Sequence, residues 1–344
     1  MKLCIVTNYI DKGYVNEILI LNKLISTLNL LPEDVYSTSE VNSSYSINKK
    51  YTHALVLLDF KMSNIELILP FIENILVPKV FVIDTVPSEH KKLDLEILKS
   101  LNSQSANTFS SLTNNTQNLL YEKYADAFVF YSDLDLNIFN SSYQFTSPKP
   151  VIILPPSLGE KKDINLNLSN FKPNFNIGFN GVPSFNNGLH NISHALNHNN
   201  QYYLNVYGKH GRSPHITQSL INSSTLNNPN INFRGQLKNY NLFYQTHHIY
   251  SNIGIYESFD LPTLNSMING VVPIISPTLP ISEYLPNYPF KIDPININIL
   301  EILDQIKNTP DSDLIDILNE SIESLKILNN KDIKESYFHF LNKL

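Results

Sequence analysis

The stretch from Tyr256 to Ser276, YESFDLPTLNSMINGVVPIIS, holds the residue types best suited to chemistry. A strand over Ile253 to Tyr256 delivers the Glu257 carboxylate to the mouth of a loop. A helix then starts near Pro262, which suits a first helical turn, and packs through Leu264, Met267 and Ile268. Gly270 suits the left-handed position that ends a helix, and Val272 to Ile275 reads as a buried strand. Loop amides at such a helix start form an anion site, well suited to a diphosphate. Two other constellations compete for attention. His190, His194 and His198 recur every fourth residue on one helix, a spacing that can hold a metal, but asparagines rather than cysteines or carboxylates surround them. Asp133-Leu134-Asp135 has the spacing of a cation-binding carboxylate pair, yet it follows Ser132 at a strand-to-helix turn, where such residues cap a helix. A solvated face and a helix cap are the expectations, and no metal site is expected.

Short β-branched runs alternate with segments of helical period, the pattern of parallel sheets with crossover helices. Strands are expected at Lys2 to Thr7, Ala54 to Leu58, Lys79 to Asp84, Ala127 to Tyr131 and Val151 to Leu154. Helices are expected through Ile18 to Leu28 and over Ile65 to Leu76. Between Ser147 and Gly159 the text becomes SPKPVIILPPSLG, with four prolines in nine residues, and marks a hinge. A second alternation follows, with strands near Phe175 to Phe179, Tyr203 to Tyr207, Ile231 to Arg234, Ile253 to Tyr256, Val272 to Ile275 and Phe290 to Ile292. Three helical segments close the chain from Ile297. The expected architecture is α/β, two doubly wound Rossmann-like domains facing across a cleft, with residues 1–155 and 172–330 as domains and 156–171 as the linker.

Composition narrows the function. The 344 residues are 42% hydrophobic, enough for real cores, and Cys4 is the single cysteine, so no disulfide or cysteine-based zinc framework is available. Neither a signal peptide nor a membrane span is expected, which favours a cytoplasmic protein, with peripheral contact at the inner face of a membrane left open. A net charge of -6 with Arg212 and Arg234 as the only arginines disfavours nucleic acid as a partner. The 46 asparagines accompany abundant Ile and Tyr, as AT-rich codon bias would produce, so the Asn-x-Ser/Thr triplets carry no weight as glycosylation sites.

The 256–276 segment resembles the signature of retaining GT-B glycosyltransferases of family 4, E-x-F-G-L-P-x-x-E-A-M-x-x-G-x-P-V-I-x-S. Glu257, Phe259, Leu261, Pro262, Leu264, Met267, Gly270, Pro273, Ile275 and Ser276 stand where that pattern expects such residues. Asn176 to Leu196 is similar to the family's opening of the second domain, Tyr203 to Gly211 to its strand ending in G-x-G, Ile231 to Leu237 to its x-F-x-G-x-L turn, and Lys123 to Ser132 to a strand of the first domain. The echoes occur in the family's order.

The resemblance implies a nucleotide-sugar donor in the second domain, an acceptor on the first, metal-independent transfer with retention, and a last helix, 331–344, crossing back to the first domain. It implies that Glu257 contacts the donor sugar or stabilises charge during transfer, and that Ser258, Phe259, Asp260 and Leu261 form the donor loop. Asn265 stands where the family's second glutamate holds the ribose, and Asp260 replaces a glycine, a carboxylate compatible with a diphosphate if it caps the helix near Pro262. The cationic phosphate clamp maps to Asn180 and Asn187. Lys209 and Arg212 are the preferred substitutes, with Arg234 next, and turn amides at Gly235 and Gln236 would face the nucleobase. Asp84, or His90 six residues on, would face the acceptor.

The reading that follows is a retaining, hexosyltransferase-type enzyme using a UDP-linked sugar, with no other cofactor, and a saccharide or lipid-linked acceptor of surface polysaccharide synthesis. Two alternatives stand beside it: a catalytically silent GT-B partner subunit, and a phage-type glucosyltransferase acting on modified DNA bases.

Overall fold

The computed structural model describes residues 1–8, 15–39, 43–58, 65–83, 120–143, 145–156, 175–181, 187–196, 199, 201–208, 228–254, 259–293, 298–325 and 330–344. The chain divides into two compact units, Met1–Gly159 with Leu328–Leu344, and Glu160–Ile327. Among the described residues no helix is long and apolar enough to cross a membrane.

The first unit is built on six parallel strands, β1 (Leu3–Thr7), β2 (Val35–Ser37), β3 (His53–Leu57), β4 (Lys79–Ile83), β5 (Ala127–Phe130) and β6 (Val151–Ile153), in the order β2-β1-β3-β4-β5-β6. The central runs LCIVT, HALVL, KVFVI and AFVF are almost wholly buried, as parallel strands covered on both faces must be. The helices α1 (Val15–Leu28), α2 (Ser43–Lys50), α3 (Ile65–Glu73) and α4 (Asp133–Ser142) connect them. Strand β2 escapes sequence reading because its three residues, VYS, are too few to show a period.

Ser132 ends the β5 segment and caps α4. Its Oγ accepts the Asp135 N–H at 3.0 Å and donates to Asp135 Oδ2 at 2.7 Å, and both residues are fully buried. The Asp-Leu-Asp triplet is thus part of a helix cap, as its position after Ser132 indicates.

The second unit has five parallel strands, β7 (Phe175–Asn180), β8 (Tyr202–Tyr207), β9 (Ile231–Gly235), β10 (Ile249–Asn252) and β11 (Val272–Ile275), ordered β11-β10-β7-β8-β9. Among its described residues the helices are α5 (Leu189–Leu196), α6 (Tyr240–Thr246), α7 (Leu261–Ile268), α8 (Ile299–Asn308) and α9 (Asp311–Ser324). The closing helix α10 (Asn330–Leu341) belongs to the first unit, where it packs on α1 and buries Ile333, Tyr337 and Leu341.

Two expectations need correction. The strand expected at Ile253 to Tyr256 lies four residues earlier, at Ile249–Asn252. Apolar Ile253 and Ile255 attract a strand reading, but the ladder pairs Ile249 with Ile177 and Val272, and it carries polar Ser251 and Asn252, both buried, against Ile274 and Ile275 of β11. The strand expected at Phe290 to Ile292 reduces to a single bridge between Lys291 and Ile275.

Candidate functional site

In open parallel sheets ligands bind beyond the carboxyl ends of the strands, where the strand order reverses. In the second unit that switch point falls between β7 and β10, so the loops after Asn180 and Asn252 define the place to look.

Asn180 is the last residue of β7, and its Nδ2 donates to the Tyr240 hydroxyl at 3.3 Å. The next residue, Gly181, donates its N–H to the Tyr207 carbonyl at 2.9 Å, and a β-carbon there would meet the Asn187 Nδ2 at 3.0 Å. Gly188 (φ +69°) lies so close to the end of β10 that a β-carbon would stand 2.5 Å from the Ile253 carbonyl oxygen. The structure therefore brings Asn180 and Asn187 together at the switch point, where the resemblance implies the phosphate clamp.

Helix α7 starts beside them, and Asp260 is its N-cap. Its backbone is left-handed (φ 24°, ψ 63°) and its carboxylate is 2% exposed. The carboxylate accepts the Thr263 N–H at 3.4 Å, takes a second hydrogen bond from the Thr263 hydroxyl, and is also bonded by the Asn252 side chain. Burial raises its pKa to about 6 against the opposing pull of those hydrogen bonds. The helix start expected to be an open anion site thus carries an anion of its own. Pro262 has no N–H, and that of Thr263 is already bonded to Asp260.

Phe259 and Leu261 are fully buried, the Phe259 ring lying edge-on to Tyr284 at 5.5 Å, so only their backbone atoms remain for a ligand. Asn265 sits half-buried one turn into α7. Gly270 (φ +73°) ends the helix in a Schellman arrangement, its N–H bonding the Met267 carbonyl at 3.1 Å while Val271 reaches Ser266 at 2.9 Å.

At the far edge of the sheet the β8–β9 pairing slips. Val206 pairs with Phe233 but Tyr207 pairs with Gly235, which makes Arg234 the extra residue of a β-bulge. Arg234 is exposed, and its Nε donates to Asn205 Oδ1 on β8 at 3.0 Å. Its charge reaches the Tyr207 hydroxyl and the buried His247 ring. Burial lowers the His247 pKa, and the ring is fixed by its Nδ1 contact to the Phe243 carbonyl at 2.7 Å and by stacking on Phe243 at 4.4 Å. Gly235 (φ +72°) follows with open space around it, and Gln236 is exposed.

Glu257, Ser258, Asp84, His90, Lys209 and Arg212 lie outside the described residues, as does His198. Among the described residues no group of three potential metal ligands is clustered. Sequence reading missed Asn205, Tyr240, Asn252 and Thr263. Of these, Thr263 carried a signal, since it stands three residues after Asp260 at a helix start, whereas Asn205 and Asn252 sit within strands where nothing in their spacing marks them.

No protein-family model matches the sequence, and no curated protein matches it. Solved structures do match in fold. The Anabaena protein Alr3699/HepE, solved in complex with UDP and glucose, aligns with a TM-score of 0.70 at 12% identity over 100% of both chains. Trehalose-6-phosphate synthase OtsA aligns with a TM-score of 0.65 at 9% identity, over 100% of this chain and 99% of that one. Sucrose-phosphate synthase from Thermosynechococcus elongatus aligns with a TM-score of 0.62 at 15% identity, over 94% and 79%. At these identities the likeness is one of fold, and that fold is GT-B, two doubly wound α/β units in one chain.

Proposed function

We propose that this protein is a glycosyltransferase that moves a sugar, with retention, from a UDP-linked donor to a saccharide or lipid-linked acceptor of surface polysaccharide synthesis, without a metal. The observation that carries the reading is the coincidence of two independent facts. The full chain aligns with a protein solved with UDP and glucose, and the described part of the signature-like segment, from Phe259 on, follows β10, one of the two strands of the switch point in the second sheet. In this reading the donor lies along the carboxyl edge of that sheet, and Glu257 stabilises charge as the bond from the anomeric carbon to the phosphate oxygen breaks. A bond to an acceptor hydroxyl forms, and the hydroxyl proton leaves with the diphosphate. Lys209 and Arg212 supply the positive charge that Asn180 and Asn187 lack. Asp84 or His90 orients the acceptor.

A second reading is a catalytically silent partner subunit. The Asp260 carboxylate at the start of α7 and the two asparagines at the β7 loop favour it, because both withhold positive charge from a leaving diphosphate.

The test is a thermal-shift and calorimetric screen against nucleoside diphosphates and their sugar conjugates, with and without EDTA, followed by turnover assays on Glu257→Ala. UDP-sugar stabilisation that survives EDTA, with turnover abolished in the variant, is the expected result. Binding without turnover in the wild type selects the silent subunit, and no binding at all rejects the transferase reading and likewise leaves the partner subunit, with an emptied donor site, as the one that stands.

A further inference from the structure

We propose that Asp260 is a proton site coupled to donor binding: the diphosphate of a nucleotide sugar enters together with a solvent proton, which converts the buried Asp260 carboxylate into a neutral carboxyl. The inference rests on the nucleotide-sugar reading above and adds to it how a site with asparagines at its clamp positions manages the charge it must accept.

Position comes first. Asn252 is the last residue of β10, and its side chain bonds the Asp260 carboxylate. The β10–β7 register pairs Ile249 with Ile177 and Tyr250 with Gly178, so Asn252 falls level with Asn180 on the adjoining strand. At ordinary strand spacing the two stand about 5 Å apart. With the diphosphate at the switch point, the carboxylate lies one strand spacing and one side chain from it, about 10 Å.

The surroundings of the carboxylate leave its charge uncompensated. It is buried, and its partners, the Thr263 N–H and hydroxyl and the Asn252 amide, are all neutral. Of the elements packed against α7, β11 (VPII) has no ionisable side chain, and no charged group of β10 or α9 acts on Asp260 among the described residues. Helix α6 brings the Tyr244 hydroxyl near it, which is neutral as well. Burial already lifts the pKa to about 6, so a further push carries it through neutral pH. The partners also tolerate the proton. A hydroxyl accepts as well as donates, so Thr263 Oγ1 can turn to receive a carboxyl O–H while the backbone and amide N–H groups keep their bonds.

A second anion supplies that push. At an effective dielectric constant of about 20, a unit negative charge about 10 Å away raises the affinity of the carboxyl for a proton roughly tenfold or more, and a sugar-nucleotide diphosphate carries more than one such charge. Taking up the proton removes the repulsion that opposes the ligand. By reciprocity, donor binding must then weaken as pH rises.

The experiment is calorimetry of the full chain with UDP-glucose, whose diphosphate neither gains nor loses a proton between pH 5.5 and pH 8.5, in buffers of different ionisation enthalpy. It is run on the wild type, Asp260→Asn and Thr263→Val, and the dependence of the observed heat on the buffer counts the protons taken up. The wild type should take up about one-half to one proton at pH 7 and bind about five- to thirtyfold more weakly at pH 8 than at pH 6. Asp260→Asn keeps the cap acceptor, and should take up none and lose that pH dependence. Thr263→Val removes one bond to the carboxylate, so the uptake should move to higher pH, a shift that a residue serving only to cap the helix would not produce. UDP-glucose binding without proton uptake in the wild type, or an uptake unchanged in Asp260→Asn, would overturn the inference and leave the nucleotide-sugar reading standing. Failure of the wild type to bind UDP-glucose anywhere in this pH range rejects that reading and this inference with it.

Discussion

At the scale of single residues, Asp260 is the group whose environment differs most from what its place in the sequence suggests. A carboxylate at a helix start is ordinarily stabilising. Here burial outweighs the cap bonds and lifts the pKa from the usual carboxylate range to about 6. Ionising Asp260 is thus harder in the folded protein than in the unfolded chain. Its contribution to stability is complete below the unfolded value and is lost as pH rises through about 6. Asp260→Asn keeps an N-cap acceptor and removes the charge, so it should be more stable than wild type at pH 7.5 by about 2 to 3 kcal/mol, with the gap closing near pH 4. Urea titrations at the two pH values decide it; a gap that does not change with pH contradicts the account. Cys4 is a second residue set by burial. Its thiol is fully buried and pushed up to about 12, first by desolvation and then by Asp34. A thiolate-directed reagent at pH 8 should label it only as fast as the first unit opens, and labelling within seconds under native conditions would show that the strand is not sealed.

At the scale of elements, two glycines carry the geometry around α7. Gly270 turns the chain left-handed at the end of that helix, and Gly270→Ala should cost about 1 to 2 kcal/mol in backbone strain. Gly188 combines a positive φ with a β-carbon position 2.5 Å from the Ile253 carbonyl oxygen, so Gly188→Ala must move backbone as well. It should destabilise more than Gly270→Ala in the same urea series and also weaken nucleotide binding, since it displaces the loop that carries Asn187. Equal effects of the two substitutions would mean the loop yields freely. These elements also show where sequence reading succeeds. Pro262 and Gly270 bracket α7 correctly, and Ser132 is recognisable as a cap, because local conformational preferences act within a few residues. Strand β10 is misplaced in the sequence reading because its polar residues Ser251 and Asn252 are buried where it pairs with β11, a tertiary fact with no local periodic trace. Asp260 in its cap was foreseeable. Its burial depends on α7 and β10 meeting and was not, nor was the β9 bulge that re-aims Arg234.

For the whole molecule, the order of elements was largely legible because parallel α/β sheets announce themselves as alternating apolar runs and amphipathic helices. The attachment of α10 has a measurable consequence. It buries Tyr337 and Leu341 within the first unit, and the Leu341 backbone bonds the His53 ring at the start of β3. Deleting residues 328–344 should therefore raise amide hydrogen exchange in β1 and β3 while the strands of the second unit keep their protection. Unchanged protection in β1 and β3 would show that the helix is dispensable.

That same attachment sets an order of events during synthesis. The second unit, Glu160–Ile327, is one uninterrupted stretch, whereas the first is assembled from Met1–Gly159 and Leu328–Leu344. A nascent chain can finish the second unit using residues already translated, but the first must wait, its α1 face uncovered, until everything up to and including the second unit has been made. The part of the protein that is begun first is therefore the part completed last.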